Sequence, residues 1–271
     1  MNPAIAALIP VYNGADHVAD VIRGTRRWLR EVLVVDDGSL DQTARVARES
    51  GARVLRLPSN RGKGAAIRAG LSVLLGETHS HVLMLDGDGQ HEPDDIPKFI
   101  AAATEADFVL GNRLWCREAI PPRRMWTNHV GTTALRLMTG YPLEDSQCGY
   151  RLVAATLLRR MGLVGKRYSV DTELLIRAGK LGAAFAHIPV TVIYAGEPSH
   201  FRPVRDTVHI VFSAVRFKVD EGDLRRDPGQ EYWRVYRAPE FEVLPSLDPD
   251  SGIENSGPIR EMGLPDAADR G

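Results

Sequence analysis

The sequence predicts an α/β fold: a mostly parallel sheet with helices on both faces, in a single domain followed by a C-terminal tail. Two observations lead there. Short aliphatic or β-branched runs, each stopped by Pro, Asp or Gly, alternate with segments of helical spacing. The runs also lack polar alternation, which is the pattern of strands covered on both faces.

Taken in order, "IAALIP", "EVLVVDD", "ARVLRLP", "HVLMLDGD" and "ADFVLGN" read as five strands. Helical spacing occupies residues 15–28, 42–50, 63–75 and 94–103, the second capped by Asp41 and ended by Gly51. After Gly111 a loop rich in Arg, Trp and Pro spans 113–126, and a helix follows through about Met138. "YPLEDSQCGYR" leads to helices near 154–161 and 171–180, and "AFAHIPVTVIY" reads as one or two strands interrupted by Pro189. A last amphipathic helix is expected at 204–217, closing a domain of residues 1–218. Residues 219–271, rich in Asp, Glu, Pro and Gly, are expected to be extended or partly disordered, with "EYWRVY" able to dock back.

With 271 residues, 44 % of them hydrophobic, the chain can fill a substantial core. Its 34 basic and 35 acidic side chains leave a net charge of −1, so no global field draws it to nucleic acid or an anionic bilayer. Any attraction to phosphate is local. Two cysteines, Cys116 and Cys148, and the lack of an apolar signal core favour a cytoplasmic setting with free thiols. The apolar stretch 208–215 is too short to span a bilayer.

Ligands of open parallel sheets bind at the carboxyl ends of the strands. "PVYNG", "DDGSLDQT", "NRGKG", "DGDGQ" and "GNR" all follow expected strand ends and are expected to converge on one edge. Asp86 and Asp88 are separated by Gly87, so both carboxylates can face one point, and the Gln90 amide oxygen follows. Such a set suits Mg²⁺ or Mn²⁺ with positions left for phosphate oxygens, or it is a plain exposed Asp-Gly turn. Asp36 and Asp37 read either as local caps or as acceptors for a nucleobase or ribose. Arg61 and Lys63 open a helix, where an anion is favoured, although the P-loop spacing is absent. Arg113, Arg117, Arg123 and Arg124, interleaved with Trp115 and followed by Trp126, read as phosphate ligands beside an apolar surface, or as a solvated loop.

Together these motifs resemble the family-two glycosyltransferases of the GT-A, Rossmann-like fold, in particular the dolichyl-phosphate mannose synthase and bacterial polyprenyl-phosphate glycosyltransferase branch. The carriers are "IPVYNGADHVADVI", "VVDDGSLDQT", "NRGKGAAIRAG", "MLDGDGQHEPDDIP", "GNR", "MTGYPLEDSQCGYR", "YSVDTELLIRA", "IPVTVIY" and "SHFRPVRDT", which run in this order from about Ile5 to Phe217. The resemblance implies a nucleotide-sugar donor (a GDP- or UDP-sugar) bound through Pro10, Tyr12 and Asp37. It implies a metal on Asp86, Asp88 and Gln90, and Arg113, Arg123 or Arg124, and Arg202 near the donor or acceptor phosphates. The family pattern usually has Glu where this chain has Gly14, and many relatives continue into transmembrane helices where this chain has the 204–217 helix. That helix either lies at a bilayer surface, giving peripheral contact with the inner membrane face, or buries its apolar side in its own domain.

By resemblance the reaction is inverting, with the metal neutralising the departing diphosphate and Arg113, Arg124 and Arg202 sharing the task. A polyprenyl-phosphate acceptor attacks with an oxygen that is already anionic. A hydroxyl acceptor needs a base, for which Asp145 is the candidate, with orienting Arg151 or capping a turn as its alternative, and Glu173 the second, with packing or a salt bridge as its alternative. A sugar nucleotidyltransferase would carry a glycine-rich basic loop where "PVYNG" stands, and a silent scaffold would tolerate loss of the intact Asp86, Asp88 and Gln90.

Overall fold

A computed structural model of the chain describes residues 4–115, 122–141, 143–163, 169–193 and 241–247. The order is β1 (Ile5–Val11), α1 (Val18–Arg26), β2 (Glu31–Asp36), α2 (Thr43–Glu49), β3 (Arg53–Arg56), α3 (Lys63–Leu74) and β4 (His81–Met84). A 3₁₀ turn (Pro93–Asp95) then leads into α4 (Ile96–Ala102), β5 (Phe108–Asn112), α5 (Pro122–Thr139), β6 (Arg151–Ala154), α6 (Ala155–Arg159), α7 (Ser169–Lys180), β7 (Phe185–Pro189) and β8 (Glu242–Leu244). All strands join one sheet in the order β7-β5-β6-β4-β1-β2-β3-β8. The first five expected strands form, and the sheet is mostly parallel: β6 runs against β4 and β5, and β8 against β3.

Alternation along each strand feeds two cores. On one face Ala6 and Leu8 of β1 join Leu33 and Val35 of β2, with Leu71 of α3, Leu158 of α6 and Leu174 of α7. On the other, Ala7 and Ile9 meet Val32 and Val34, with Ile22 of α1, Ala47 of α2 and Phe99 of α4. Both faces being covered explains the unbroken apolar runs, and each fully buried Leu or Ile contributes roughly 2 kcal/mol relative to exposure. The strand ends are therefore rigid mounts.

From β1 the chain steps outward through β2 to β3, then returns to the far side of β1 as β4. Connections diverge between β1 and β4, which is where an open sheet offers a crevice. Tyr12 leaves β1 and Asp86 leaves β4 on either side of it.

Three elements differ from the expectation. β6 is a strand that the sequence reading omits; only four residues long, it is made a strand by its pairing with β4 and β5. α5 starts at Pro122, so the backbones of Arg123, Arg124 and Trp126 lie on a helix rather than in the preceding loop. Proline suits that first position, where its missing N–H has no intrahelical role. Within the tail, Glu242–Leu244 pairs with β3, and the Arg48 carbonyl accepts the Leu247 N–H at 3.2 Å while Arg48 Nε donates to the Pro245 carbonyl at 3.0 Å. The helix expected at 204–217, the "EYWRVY" segment and Arg202 lie outside the described residues.

Candidate active site

The loop after β1 is stitched to the loop after β2. Asn13 adopts a left-handed conformation (φ 51°), its N–H donating to Ser39 Oγ and its Oδ1 accepting from the Leu40 N–H, both at 2.9 Å. The Gly14 N–H donates to Thr43 Oγ1 at 2.9 Å and the Ala15 N–H to Asp41 Oδ2 at 3.2 Å. Asp41 also accepts the Thr43 N–H at 3.0 Å, but the N-cap position of α2 falls to Gln42 rather than to Asp41. Pro10 is buried in β1, whereas Tyr12 leaves the strand 44 % exposed. A Cβ on Gly14 would come within 2.5 Å of Val11 Cγ2, so the glutamate usual at this place does not fit unless Val11 moves.

Asp36 is fully buried; its Oδ1 accepts the Ser39 N–H at 2.8 Å and its Oδ2 lies 3.4 Å from Arg56 Nε. Asp37 accepts the Arg61 N–H at 2.8 Å and the Gly62 N–H at 2.7 Å. Burial raises the Asp37 carboxyl above its usual range, with the two N–H groups opposing the rise. By gripping this loop, Asp37 sets the start of α3, where Gly62 takes φ +88° and Lys63 becomes the first helical residue.

Lys63 reaches across to the acidic turn. Its Nζ is 2.7 Å from Asp86 Oδ1 and 3.5 Å from Asp171 Oδ2, on the first turn of α7. Arg151 is fully buried, its Nη2 3.0 Å from Asp171 Oδ1 and donating to the Cys148 carbonyl at 2.5 Å. Burial works against a charged Lys63, but the two carboxylates outweigh it and raise the ammonium well above its ordinary value. Burial likewise raises Asp86, but Lys63 outweighs it and holds that carboxyl low.

Asp88 differs. It is exposed, with Oδ1 accepting the Gln90 N–H at 3.0 Å, and the surrounding crevice followed by the Asp86 charge pushes its carboxyl up. Gly87 lets the turn lie against β1, where a Cβ would stand 3.0 Å from Val11 Cβ. Asp88 stands two residues from Asp86 in a turn whose nearby ammonium, Lys63, is engaged with Asp86. Asp86, Asp88 and the Gln90 amide offer oxygen atoms, the ligand type that a hard divalent cation takes. Among the described residues no three His, Cys, Asp or Glu side chains gather as a group that could hold a metal ion.

Across the turn lies a basic half. Arg113 Nε is 2.7 Å from Asp145 Oδ2 and its Nη2 2.9 Å from Oδ1, while the Arg113 N–H donates to Oδ2 at 3.2 Å. Asn128 Nδ2 of α5 and the Gln147 N–H also donate to Oδ1, at 3.0 and 3.2 Å. Asp145 thus holds Arg113, not Arg151. Glu173, equally buried, is taken by Arg177 Nε at 2.7 Å. His91 stands between the halves: it is buried, its Nε2 4.0 Å from Asp86 Oδ2 and its ring 5.1 Å from that of Tyr150. Burial, opposed by Asp86 and helped by Arg113, lowers its imidazole to about 4, so it is neutral at pH 7.

The strand ends thus bring together Tyr12, Asp37, Lys63, Asp86, Asp88 and Gln90, with Arg113 and Asp145 alongside. Arg124 contributes only a backbone position on α5. Asp171 and Gly149 carry no role in the sequence reading, and Arg151, there the alternative partner of Asp145, pairs with Asp171 instead. A Cβ on Gly149 would overlap the Asp86 carboxylate and lie 3.2 Å from Lys63 Nζ. The signal for Asp171 was the arginine of "GYRLVA": a cation at the centre of an apolar run needs a buried carboxylate partner. Asp94 and Asp95 also do more than open a helix. Asp94 accepts from Trp28 Nε1 at 3.3 Å and pairs with Arg27 at 2.8 Å; Asp95 pairs with Lys98 at 2.5 Å and accepts the Thr191 N–H at 2.6 Å.

The family model described as "Glycosyl transferase family 2" matches residues 6–162. Among curated proteins, "Glycosyltransferase AglJ" of Haloferax volcanii is 33 % identical over 214 residues, 75 % of this chain and 68 % of that protein. The undecaprenyl-phosphate mannosyltransferase of Micrococcus luteus is 29 % identical over 207 residues, 70 % of this chain and 83 % of that protein. Among solved structures, glucosyl-3-phosphoglycerate synthase from Mycobacterium tuberculosis in complex with Mn²⁺, UDP and glucosyl-3-phosphoglycerate aligns with a TM-score of 0.64 at 20 % identity. That alignment covers 81 % of this chain and 82 % of that one.

Proposed function

The chain belongs to glycosyl transferase family 2, and from that premise we propose that it is a metal-dependent, inverting transferase that carries a sugar from a GDP- or UDP-sugar to a polyprenyl phosphate. The observation that carries this reading is the acidic turn Asp86 to Asp88 after β4, set two strands from an arginine locked in place by Asp145 at the end of β5. Relatives named for undecaprenyl-phosphate and polyprenol substrates support the acceptor class.

In this reading the nucleoside lies over Tyr12 and the loop pinned by Asp37. Asp88, aided by Asp86 and Gln90, holds Mg²⁺ or Mn²⁺, which when bound neutralises charge on the leaving diphosphate. Arg113 is aimed by Asp145, so its charge is in place before the sugar departs. Arg124 and Arg202 complete the phosphate contacts proposed on resemblance.

Asp145 and Glu173, the two carboxylates weighed as bases, are each bound to an arginine. That arrangement favours an acceptor oxygen that is already anionic, as in a phosphate. Trp115, 72 % exposed and two residues beyond Arg113, suits an apolar chain beside that phosphate or a membrane interface. No helix among the described residues is long and apolar enough to cross a membrane.

The test is a donor screen of UDP- and GDP-sugars with Mn²⁺ or Mg²⁺ and a polyprenyl phosphate, with Asp88→Ala as control. Transfer that depends on metal and is lost in Asp88→Ala is expected. Transfer unchanged by EDTA and by Asp88→Ala sinks the metal role, and failure to bind any nucleotide sugar sinks the reading as a whole.

A further inference from the structure

Asp86 is the end of a chain of alternating charges. Lys63 Nζ stands between two carboxylates, at 2.7 Å from Asp86 and 3.5 Å from Asp171. Asp171 stands between two cations, with Oδ2 towards Lys63 and Oδ1 at 3.0 Å from Arg151. Arg151 is fully buried and the Lys63 side chain is 19 % exposed, so water screens the chain poorly. Among the described residues no hydrogen bond or ion pair joins Asp171 to Asp86 or Asp88, and Lys63 contacts both Asp171 and Asp86.

From this geometry we infer that Asp171, acting through Lys63, sets how much of the Asp86 charge is left for a divalent cation at the Asp86–Asp88 turn. The inference rests on the metal role proposed above. With the Asp171 carboxylate beside it, Lys63 divides its charge between two partners and Asp86 keeps part of its negative field. With Asn in place of Asp171, the whole ammonium charge falls on Asp86. The cation then meets a less negative site. Asp171 is in this account a positioning residue, and Lys63 is what it positions.

The geometry suits such a role. Lys63 is the first residue of α3, fixed there because Asp37 holds the Arg61 and Gly62 N–H groups. Gly149 leaves no side chain between the ammonium and Asp86. Asp171 comes from α7, which packs on α3, so the first turn of one helix faces the first residue of the other. The charge state of the acidic turn is thereby tied to how α7 is seated, an element 85 residues further along the chain than Asp86.

Mn²⁺ binding, followed by the electron paramagnetic resonance of free Mn²⁺ with and without saturating UDP, tests this without a turnover assay. Asp171→Asn is expected to weaken Mn²⁺ binding by about threefold to tenfold, within the coupling usual for members of one ion-pair network. Lys63→Met is expected to tighten Mn²⁺ binding without nucleotide, because Asp86 loses its counter-charge. In the Lys63→Met background Asp171→Asn should change Mn²⁺ affinity by less than about twofold.

Wild-type affinity in Asp171→Asn, or an equal loss in the Lys63→Met background, overturns the inference and leaves the metal role standing. Failure of the wild-type protein to bind Mn²⁺ in either condition overturns the metal role itself. Should Asp171→Asn fail to fold, Lys63→Met decides alone, and unchanged or weaker Mn²⁺ binding there counts against the inference.

Discussion

Arg113 and Asp145 meet edge to edge, Nε to Oδ2 at 2.7 Å and Nη2 to Oδ1 at 2.9 Å, with the carboxylate wholly buried. Asn128 and Gln147 complete the set of donors around Asp145, so the guanidinium is held in one orientation by a residue that α5 also grips.

Replacing Asp145 by Asn is expected to cost about 3 kcal/mol at pH 7, because Arg113 loses its partner in a poorly hydrated place. Burial raises this carboxyl, but Arg113 outweighs burial and holds it below its ordinary value. A depressed folded-state carboxyl contributes stability above its unfolded value, about 3.9, and loses it as pH falls through the folded value. Urea unfolding from pH 7 downward should therefore show the wild-type advantage shrinking only below about pH 4. An advantage that stays constant into acid contradicts the assignment.

Gly149→Ala places a methyl group on the Asp86 carboxylate and beside Lys63 Nζ. The expected result is a loss of roughly tenfold or more in transfer with at most about 1–3 kcal/mol of stability lost, since overpacking here is local. Activity assays run beside thermal melts separate the two. Wild-type activity in a folded Gly149→Ala protein would show that Asp86 need not sit where it does.

Cys148 is fully buried, and burial pushes its thiol up to about 12. Thiolate is the reactive form, so in a Cys116→Ser background iodoacetamide should label the protein at pH 8 only after denaturant is added. Mass spectrometry reads the outcome. Rapid native labelling of Cys148 would mean that the loop between Asp145 and β6 opens.

Glu242→Pro removes a ladder donor, opposite Arg56, from the strand that covers β3 and is expected to lower stability by about 1–2 kcal/mol and to promote association. Thermal melts and light scattering at several concentrations check this. Indifference in both would show that β8 pairing contributes nothing in solution.

What the sequence made legible follows from local chemistry. β1 to β5 announce themselves because strands buried on both faces are continuous apolar runs, and their ends locate Tyr12, Asp37, Asp86 and Arg113 without further knowledge. β6, as long as β3 and β4, escapes because it opens on the buried Arg151 and runs without a break into α6, and β8 because three residues have no period of their own; partners far off in sequence create both. The same limit applies to the charges. Asp86 and Asp88 are visible as a pair one residue apart, but that Lys63 neutralises one and not the other depends on α3 and α7 meeting in space. Asp145 is recognisable as a buried acid, yet its choice of Arg113 over Arg151 is made by the sheet, which puts β5 beside it and hands Arg151 to α7.

Because β6 is wedged between them, β4 and β5 are second neighbours in the sheet, and their axes stand roughly 10 Å apart. β6 runs the other way, so it opens at the edge where they finish and leads in with Gly149, which fills the interval with bare backbone. The gap between the Asp86 end and the Arg113 end is thereby written into the order of the strands, ahead of any choice made by individual side chains.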